Sequence, residues 1–206
     1  MIRAAVIAAG SWDKDISDWA VEERPVFGSW GAAQDASDIL RSSAHVGMIA
    51  TALLVPRGDD RWLSSVAWRM AWEHLGVMAA SYATDPIKIW TDRKRPNKGP
   101  GSFPSWHATR AAAYAGMGYR NLDLINIKPG YRFSAQSVLA VLAAGTAWAR
   151  IEAGQHYPTD VLAGAALGNF IAILIHDAFL GQEELPEFSL RIGADKPLIL
   201  GFEERF

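Results

Sequence analysis

Most of the chain consists of long segments with apolar residues at a helical spacing, separated by short segments rich in glycine, proline and charge. Between Asp35 and Leu54 the apolar positions fall close to a 3.6-residue period, which predicts an amphipathic helix. The pattern continues from Trp62 to about Trp90, where Trp68 and Trp72 share a stripe with Leu75 and Ala79. Three further helices are predicted over residues 105–120, 133–150 and 158–179.

The remaining segments predict breaks and irregular ends. Pro86 should bend its helix or start a new segment, because proline removes a backbone donor. Residues 97–103 and 121–132 are predicted connectors. Residues 1–33 form an irregular arm with room for one short helix, and the mixed tail 181–206 has two short strand patterns, at 190–192 and 198–200. We therefore predict one all-α domain over 1–206, a bundle of about five to six helices with its loops at one end.

The charge-free runs decide between a buried core and a membrane span. They cover residues 133–149, 161–175 and 42–56, which is shorter than the roughly 20 apolar residues a spanning helix needs. The mean hydropathy of +0.03 also argues against a chain made mostly of lipid-facing helices. The runs are interpreted as buried core helices, which favours a soluble or peripheral domain over an integral membrane protein and leaves the latter open.

Composition narrows the possible chemistry. The 206 residues carry a net charge of −2, which gives no general attraction to nucleic acid, and the absence of cysteine excludes disulfides and thiolate chemistry. One basic island, Lys88 to Lys98, holds five cations against one acid and suggests a local anion site. The apolar run Ala4 to Ala9 is too short for a signal peptide, so we expect any export signal to lie outside this sequence.

Within the basic island, Lys88 and Arg95 are seven residues apart and would share one face of a continuous helix. Pro96 would then stop that helix. Two cations on one face suit a phosphate, whose charge must be neutralised before a nucleophile approaches. The remaining cations, Arg93, Lys94 and Lys98, are interpreted as a solvated helix end.

A second motif, Pro104-Ser105-Trp106-His107, follows a glycine-containing loop and precedes an alanine-rich segment. Ser105 is predicted to be an N-cap, and the backbone N–H groups that follow it could face a bound anion. Taken alone, Ser105 is more often only a cap, and His107 is more often a packed core residue than a catalyst.

The third motif contains Arg150, His156 and Asp160 around another break. Pro158 fits the first helical position, which makes Tyr157 the predicted N-cap and places Asp160 in the first turn. Asp160 could be an acid that favours the helix start. Alternatively, it could accept a hydrogen bond from His156, fix the tautomer and leave the other ring nitrogen free to attack.

The joint order of these motifs resembles the three-part signature of the type 2 phosphatidic acid phosphatase superfamily, and the resemblance covers residues 88–180. It implies that Lys88, Arg95 and Arg150 bind phosphate with Ser105, Trp106 and nearby backbone amides. It also implies that His156 is the nucleophile of a metal-independent phosphatase, forming a phosphohistidine. Asp160 would orient His156, and His107 would protonate the leaving alkoxide and then activate water.

Two positions depart from the family pattern: Trp106 stands where the family usually has glycine, and Ala149 where it usually has serine. The text from His156 to Gly164 is closer to the lipid phosphatase branch. We therefore expect a phosphate monoester substrate, with a lipid or isoprenoid phosphate as one option, and no nucleic acid partner. The resemblance also implies a periplasmic location or the periplasmic face of an inner membrane.

Two other functions stay open at this point. A vanadate-dependent haloperoxidase would use the same pocket with vanadate as its cofactor, although such enzymes are typically longer chains. A non-catalytic helical protein could keep the anion pocket for binding alone. The natural substrate, the oligomeric state and the role of residues 1–60 and 181–206 do not follow from the sequence.

Overall fold

Helices form most of the chain, as the all-α prediction requires. The computed structural model describes residues 10–56, 62–180, 187–191 and 199–203. Its elements are α1 (Gly10–Glu23), α2 (Trp30–Leu54), α3 (Trp62–Thr91), α4 (Trp106–Leu124), α5 (Pro129–Glu152), α6 (Pro158–Ile175), a π-helical turn (His176–Leu180), β1 (Glu187–Arg191) and β2 (Ile199–Glu203). The two strands pair antiparallel with Glu187 opposite Glu203, in the tail where short strands were predicted.

The amino-terminal arm is more regular than predicted. Within residues 10–33, α1 is a 14-residue helix and α2 begins at Trp30, five residues before the predicted start at Asp35. Ser29 supplies the reason for the early start, because its hydroxyl accepts from the backbone N–H of Ala32 at 3.1 Å. The arm therefore contains the one short helix for which the sequence had room, and it is irregular over 24–29, whereas residues 1–9 lie outside the described part.

Two predicted breaks are also revised. Helix α3 continues through Pro86 to Thr91, so no new segment begins at the proline. The connector predicted over 121–132 shrinks to residues 125–128, because α4 extends to Leu124 and α5 begins at Pro129. Pro129 occupies an early helical position that needs no backbone donor.

Helix α4 lies at the centre of the bundle and contacts α2, α3, α5 and α6. Its buried face is rich in alanine, which lets neighbouring backbones approach closely. The closest approach is to α6, where a Cβ on Gly164 would lie 2.5 Å from the carbonyl oxygen of Ser105 and one on Gly168 would lie 2.1 Å from that of Thr109. Small residues four apart allow this kind of tight helix packing. The start of α4 is thereby held against the start of α6.

The outer surface of the bundle is strongly apolar. One helical segment among the described residues, Pro158–Leu180, is long and apolar enough to cross a membrane, and only 33% of its most apolar window is buried. The interpretation of the 161–175 run as a buried core helix is therefore wrong. Other apolar side chains near the middle of their helices are also exposed: Val46, Met78, Val141 and Phe170.

Candidate active site

Two loops meet at one end of the bundle and bring the second and third motifs together. The loop over residues 92–105 joins α3 to α4, and the loop over 153–157 joins α5 to α6. The backbone N–H of Ser105 donates to the carbonyl oxygen of Asp160 at 2.9 Å, and that of Asn97 donates to Gly154 at 3.2 Å. The ends of four helices thus share one region.

His156 is almost completely buried in this region, with 2% of its surface exposed. Its Nδ1 atom lies 2.8 Å from the carbonyl oxygen of Ser102, whereas Oδ2 of Asp160 is 3.8 Å away. The longer distance exceeds hydrogen-bond range, so the predicted direct bond from His156 to Asp160 is absent. Since a carbonyl can only accept, Nδ1 must carry the proton and Nε2 keeps its lone pair.

Asp160 is fully buried and engaged by other donors. Its carboxylate accepts from the hydroxyl of Ser102 at 2.5 Å, the backbone N–H of Tyr157 at 2.8 Å and the guanidinium of Arg93 at 2.7 Å. The predicted helix start is confirmed, with Tyr157 as N-cap and Pro158 at the first position. Asp160 and His156 therefore both bond to Ser102, which links the carboxylate to the imidazole.

The three predicted phosphate ligands, Lys88, Arg95 and Arg150, lie in the same region as one another. Helix α3 ends at Thr91, and Asp92 turns the chain with a φ of +44°, so Lys88 and Arg95 do not share a helix face as predicted. Electrostatic proximity is nevertheless clear, because the charges of Arg95 and Arg150 act on both Lys88 and His156.

The guanidinium groups of Arg95 and Arg150 each bond to a neutral side chain. Arg95 donates to Oε1 of Gln155 at 2.6 Å, and Arg150 donates to the hydroxyl of Ser37 at 3.3 Å. The Nε atoms of both arginines are buried and have no hydrogen-bond partner among the described residues. Uncompensated cations with free donors are what a tetrahedral anion requires.

The start of α4 presents the second motif to the same region. Ser105 is fully buried and is the N-cap, with its hydroxyl 3.5 Å from the backbone nitrogen of Ala108, which confirms the predicted cap. His107 lies near the charge of Arg150, and its Nε2 is 3.2 Å from Oδ1 of Asp38. The indole of Trp106 packs edge-on against His107, with ring centroids 5.1 Å apart.

Sequence reasoning missed Arg93 and Asp13. Arg93 was assigned to a solvated helix end, but it bridges Asp160 and the fully buried Asp13, with a 2.5 Å contact to the latter. Asp13 also accepts from the backbone and hydroxyl of Thr159, at 2.8 and 2.7 Å. No local pattern marks either residue, because they are 80 positions apart in the chain. Lys94 and Lys98 are exposed, as expected.

Glu152 is a third missed residue, and it fixes the amino-terminal arm to the site. Its buried carboxylate accepts from the backbone N–H groups of Val26 and Phe27, each at 3.0 Å, and from the indole of Trp148 at 2.5 Å. The turn between α1 and α2 is therefore attached to the last turn of α5. The arm is part of the site's supporting structure.

The electrostatic environment keeps His156 neutral. Burial lowers the pKa of its imidazole, and the nearby charges of Arg150 and Arg95 lower it further, whereas Asp160 acts in the opposite direction. A neutral imidazole with Nδ1 protonated presents a nucleophilic Nε2. The site thus combines a buried histidine whose neutral form is favoured, three cations and a second histidine.

Comparison with known proteins shows which sequences and which fold this chain resembles. The chain is 27% identical over 190 residues to phosphatidylglycerophosphatase B of Bacillus subtilis (strain 168), which covers 85% of this chain and 88% of that protein. A crystal structure of a transmembrane PAP2-type phosphatidylglycerolphosphate phosphatase from Bacillus subtilis shares the fold, with a TM-score of 0.64 and 22% identity over 85% of this chain and 89% of that one. A family model described as PAP2 superfamily matches residues 81–183, which include every predicted site residue. The chain belongs to the PAP2 superfamily.

Proposed function

We propose that this protein is a metal-independent phosphatase that hydrolyses a lipid phosphate monoester through a phosphohistidine at His156. The observation that carries the proposal is the environment of His156, a buried neutral imidazole with Nδ1 bound to Ser102 and the charges of Arg150 and Arg95 acting on it. The relative named phosphatidylglycerophosphatase B supports a phosphorylated lipid as the substrate class.

In the first step, Nε2 of His156 attacks phosphorus, an N–P bond forms and the ester O–P bond breaks. Lys88, Arg95 and Arg150 neutralise the phosphoryl oxygens as negative charge shifts. His107 gives its proton to the leaving alkoxide, and the negative charge of the bound ester favours the protonated form of His107 beforehand. The alcohol then departs.

In the second step, water replaces the alcohol. His107, now neutral, takes a proton from the water as its oxygen attacks phosphorus and the N–P bond breaks. Inorganic phosphate leaves, and both histidines return to their starting states. No step requires a metal ion, and no group of three or more metal-binding side chains occurs in residues 10–56 and 62–180.

We also propose that the protein spans a membrane with the active site at one interface. Exposed tryptophans mark the site end, at Trp12, Trp19, Trp30 and Trp90, and exposed aromatic residues mark the other end, at Trp62, Tyr119, Tyr131 and Phe133. The 28 residues from Trp62 to Trp90 correspond to about 42 Å of helix, close to the roughly 40–45 Å of a bilayer with its headgroups. Aromatic belts at that spacing are typical of membrane proteins.

The interior supports the same proposal. Charged groups near the middle of α3 face inward, with Glu73 fully buried and Arg69 8% exposed. Both bond to Asn121, which accepts from Arg69 at 2.9 Å and donates to Glu73 at 2.7 Å. Polar groups that bond to one another in the interior, beneath an apolar exterior, are typical of proteins in a lipid environment. We place the site on the extracytoplasmic, or periplasmic, face of the membrane.

The catalytic proposal is tested with detergent-purified protein, a diacyl lipid phosphate and trapping of the phosphoenzyme in an alkaline denaturing quench, because a phosphohistidine is stable in alkali and hydrolyses in acid. We expect phosphate release in the presence of EDTA and an acid-labile phosphoenzyme. Both should disappear in His156→Ala and persist in His176→Ala, a matched control because His176 is buried at the opposite end of α6. Turnover without a phosphoenzyme, or retained in His156→Ala, would contradict the proposal.

The orientation is tested separately with a cysteine introduced at the exposed Lys98, because the chain has no cysteine of its own. A membrane-impermeant thiol reagent should label intact cells that carry Lys98→Cys. Labelling only after lysis would place the site on the cytoplasmic face.

A further inference from the structure

His107 has a carboxylate partner that lies outside the three motifs. Its Nε2 atom is 3.2 Å from Oδ1 of Asp38, a distance at the long end of the range for an N–H···O hydrogen bond. Asp38 belongs to α2 and His107 to the first turn of α4, so two helices supply the pair. The sequence gives no sign of this contact, because the two residues are 69 positions apart.

The contact decides which nitrogen of His107 exchanges a proton. An ionised carboxylate can only accept a hydrogen bond, so Nε2 must carry a proton when it is bonded to Asp38. Nδ1 is then the nitrogen that gains or loses the second proton of the imidazole. No group among the described residues bonds to Nδ1 of His107, so no contact within that part of the chain competes with a substrate there.

Arg41 holds the carboxylate of Asp38 in place. Its guanidinium donates to the same oxygen, Oδ1, at 3.2 Å, and the two residues are three positions apart on α2. This second donor restricts the rotation of a carboxylate side chain that is 52% exposed. A carboxylate bonded to an arginine also stays ionised, and it must be ionised to accept from Nε2 of His107.

The charges around His107 explain why a general acid at this position needs such a partner. Burial and the charge of Arg150 act against the protonated imidazole, and the charge of Arg41 does so as well. Asp38 acts in the opposite direction, through its hydrogen bond and its charge. A bound phosphate ester adds negative charge only while it occupies the site, whereas Asp38 is present throughout the cycle. Asp38 can therefore hold the proton on Nε2 at every stage.

We propose that Asp38 is a positioning residue for the general acid: it holds Nε2–H of His107, so that Nδ1 exchanges protons with the substrate. The proposal rests on the proposed function. In the first step, Nδ1 gives its proton to the leaving oxygen as the ester O–P bond breaks and the N–P bond to His156 forms. In the second step, Nδ1 takes a proton from the water whose oxygen bonds to phosphorus as the N–P bond breaks. Nε2 keeps its proton in both steps.

The rates of phosphoenzyme formation from an alkyl and an aryl phosphate test this role. Asp38→Ala should lower the rate for the alkyl ester by at least about tenfold, a part of the roughly 10²–10⁴-fold that general acid catalysis contributes. The aryl ester should lose less than about threefold, because an aryl oxide leaves without a proton. Asp38→Glu keeps a carboxylate and should recover part of the loss. Equal losses on the two esters, or no loss on either, would overturn the proposal.

A double-mutant cycle separates this role from a structural one. In the His107→Ala background, Asp38→Ala should slow the alkyl ester by no more than about threefold further, because the group that Asp38 positions is gone. If Asp38 served only to pair with Arg41 or to stabilise the fold, its full loss would appear in that background too, and the proposal would fail. Asp35→Ala is the matched control, since it removes an exposed acid one turn earlier on α2 and should leave both esters unaffected.

A spectroscopic measurement distinguishes failure of this proposal from failure of the proposed function. NMR of protein labelled with ¹⁵N-histidine in detergent detects protons bound to each imidazole nitrogen and needs no turnover, and His107→Gln assigns the signals. The wild type should show a downfield proton on Nε2 of His107, protected from exchange by Asp38, and Asp38→Ala should remove it. If the wild type hydrolyses no ester but the signal behaves in this way, the proposed function fails and the contact stands. Absence of the signal from the wild type, or its survival in Asp38→Ala, would refute the positioning role.

Discussion

Arg93 joins α1 to the start of α6, with 2.7 Å between its Nη1 and Oδ1 of Asp160 and 2.5 Å between its Nη2 and Oδ2 of Asp13. Both carboxylates are fully buried, and the arginine side chain is 16% exposed. The three residues connect the amino-terminal arm to the carboxylate that holds Ser102 and, through it, His156.

We expect Arg93→Ala to destabilise the protein and to lower kcat. Removing the shared cation leaves two buried carboxylates close together, which typically costs about 3–5 kcal/mol. Thermal unfolding in detergent measures the stability, and steady-state kinetics measures kcat. Arg93→Lys should recover part of both losses, whereas Lys94→Ala, which removes the exposed neighbouring lysine, should alter neither. An Arg93→Ala protein with unchanged kcat would show that Asp160 does not need this support.

The role of His107 predicts a dependence on the leaving group. His107→Ala should lower kcat for an alkyl phosphate by about 10²–10⁴-fold, the usual contribution of general acid catalysis. The loss for an aryl phosphate should be much smaller in the first step, because an aryl oxide leaves without a proton. Burst kinetics with both esters separates the two steps. Equal first-step losses would argue against proton donation by His107.

The lowered pKa of His156 predicts how activity depends on pH. His156 lies in the loop between α5 and α6, where burial and the charges of Arg150 and Arg95 favour its neutral form. The nucleophile should therefore stay neutral as the pH falls through the ordinary histidine value of about 6.5. After correction for ionisation of the substrate and of the general acid His107, the loss of kcat/KM that reflects protonation of His156 should occur below that pH. A midpoint at or above 6.5 would contradict this environment.

The same shift has a consequence for stability. In the unfolded chain His156 binds a proton at a higher pH than in the folded chain, so the unfolded state holds more protons in the interval below 6.5. Stability should therefore fall as the pH is lowered through that interval. His156→Gln should flatten this part of the profile of unfolding free energy against pH.

Trp106 should matter more for a lipid than for a small substrate. Its indole is half-buried and contacts His107, Arg41 and Arg110, where it can cover an apolar group. We expect Trp106→Gly to reduce kcat/KM for an acyl lipid phosphate more than for a small aryl phosphate, by about 1–3 kcal/mol in transition-state free energy. Activity that rises on every substrate alike would show that the indole obstructs the site.

Chelation should leave turnover intact. The carboxylate of Asp160 already accepts three hydrogen bonds, which leaves it poorly suited to a divalent cation. We expect the rate of phosphate release to be unchanged after dialysis against EDTA. Complete loss of activity that a divalent cation restores would refute the metal-free mechanism.

The sequence predicted the site best where the chemistry is local. The cap at Ser105 and the helix start at Pro158 follow from short-range rules, and the structure confirms both. The shared face of Lys88 and Arg95 was wrong because the backbone leaves the helix at Asp92, which no periodicity reveals. The role of Arg93 was missed because its two partners lie 67 and 80 positions away.

The burial of the charge-free helices was predicted less well, for a related reason. Counting charge-free runs treats every polar residue as an interruption, but Glu73 and Asn121 face inward and bond to each other. Apolar side chains elsewhere on α3, such as Leu75 and Met78, are exposed. Only the direction in which each side chain points distinguishes a buried core helix from one that faces lipid, and the one-dimensional pattern does not contain that direction.

Both site loops, 92–105 and 153–157, lie at the same end of the bundle, and this arrangement determines which lipids the enzyme can reach. In a bilayer, all the catalytic groups would face a single leaflet. A substrate made in the opposite leaflet would have to be flipped before it could be hydrolysed, and the dephosphorylated lipid would first appear in the leaflet where it was cleaved. The supply of substrate would then be set by transbilayer movement.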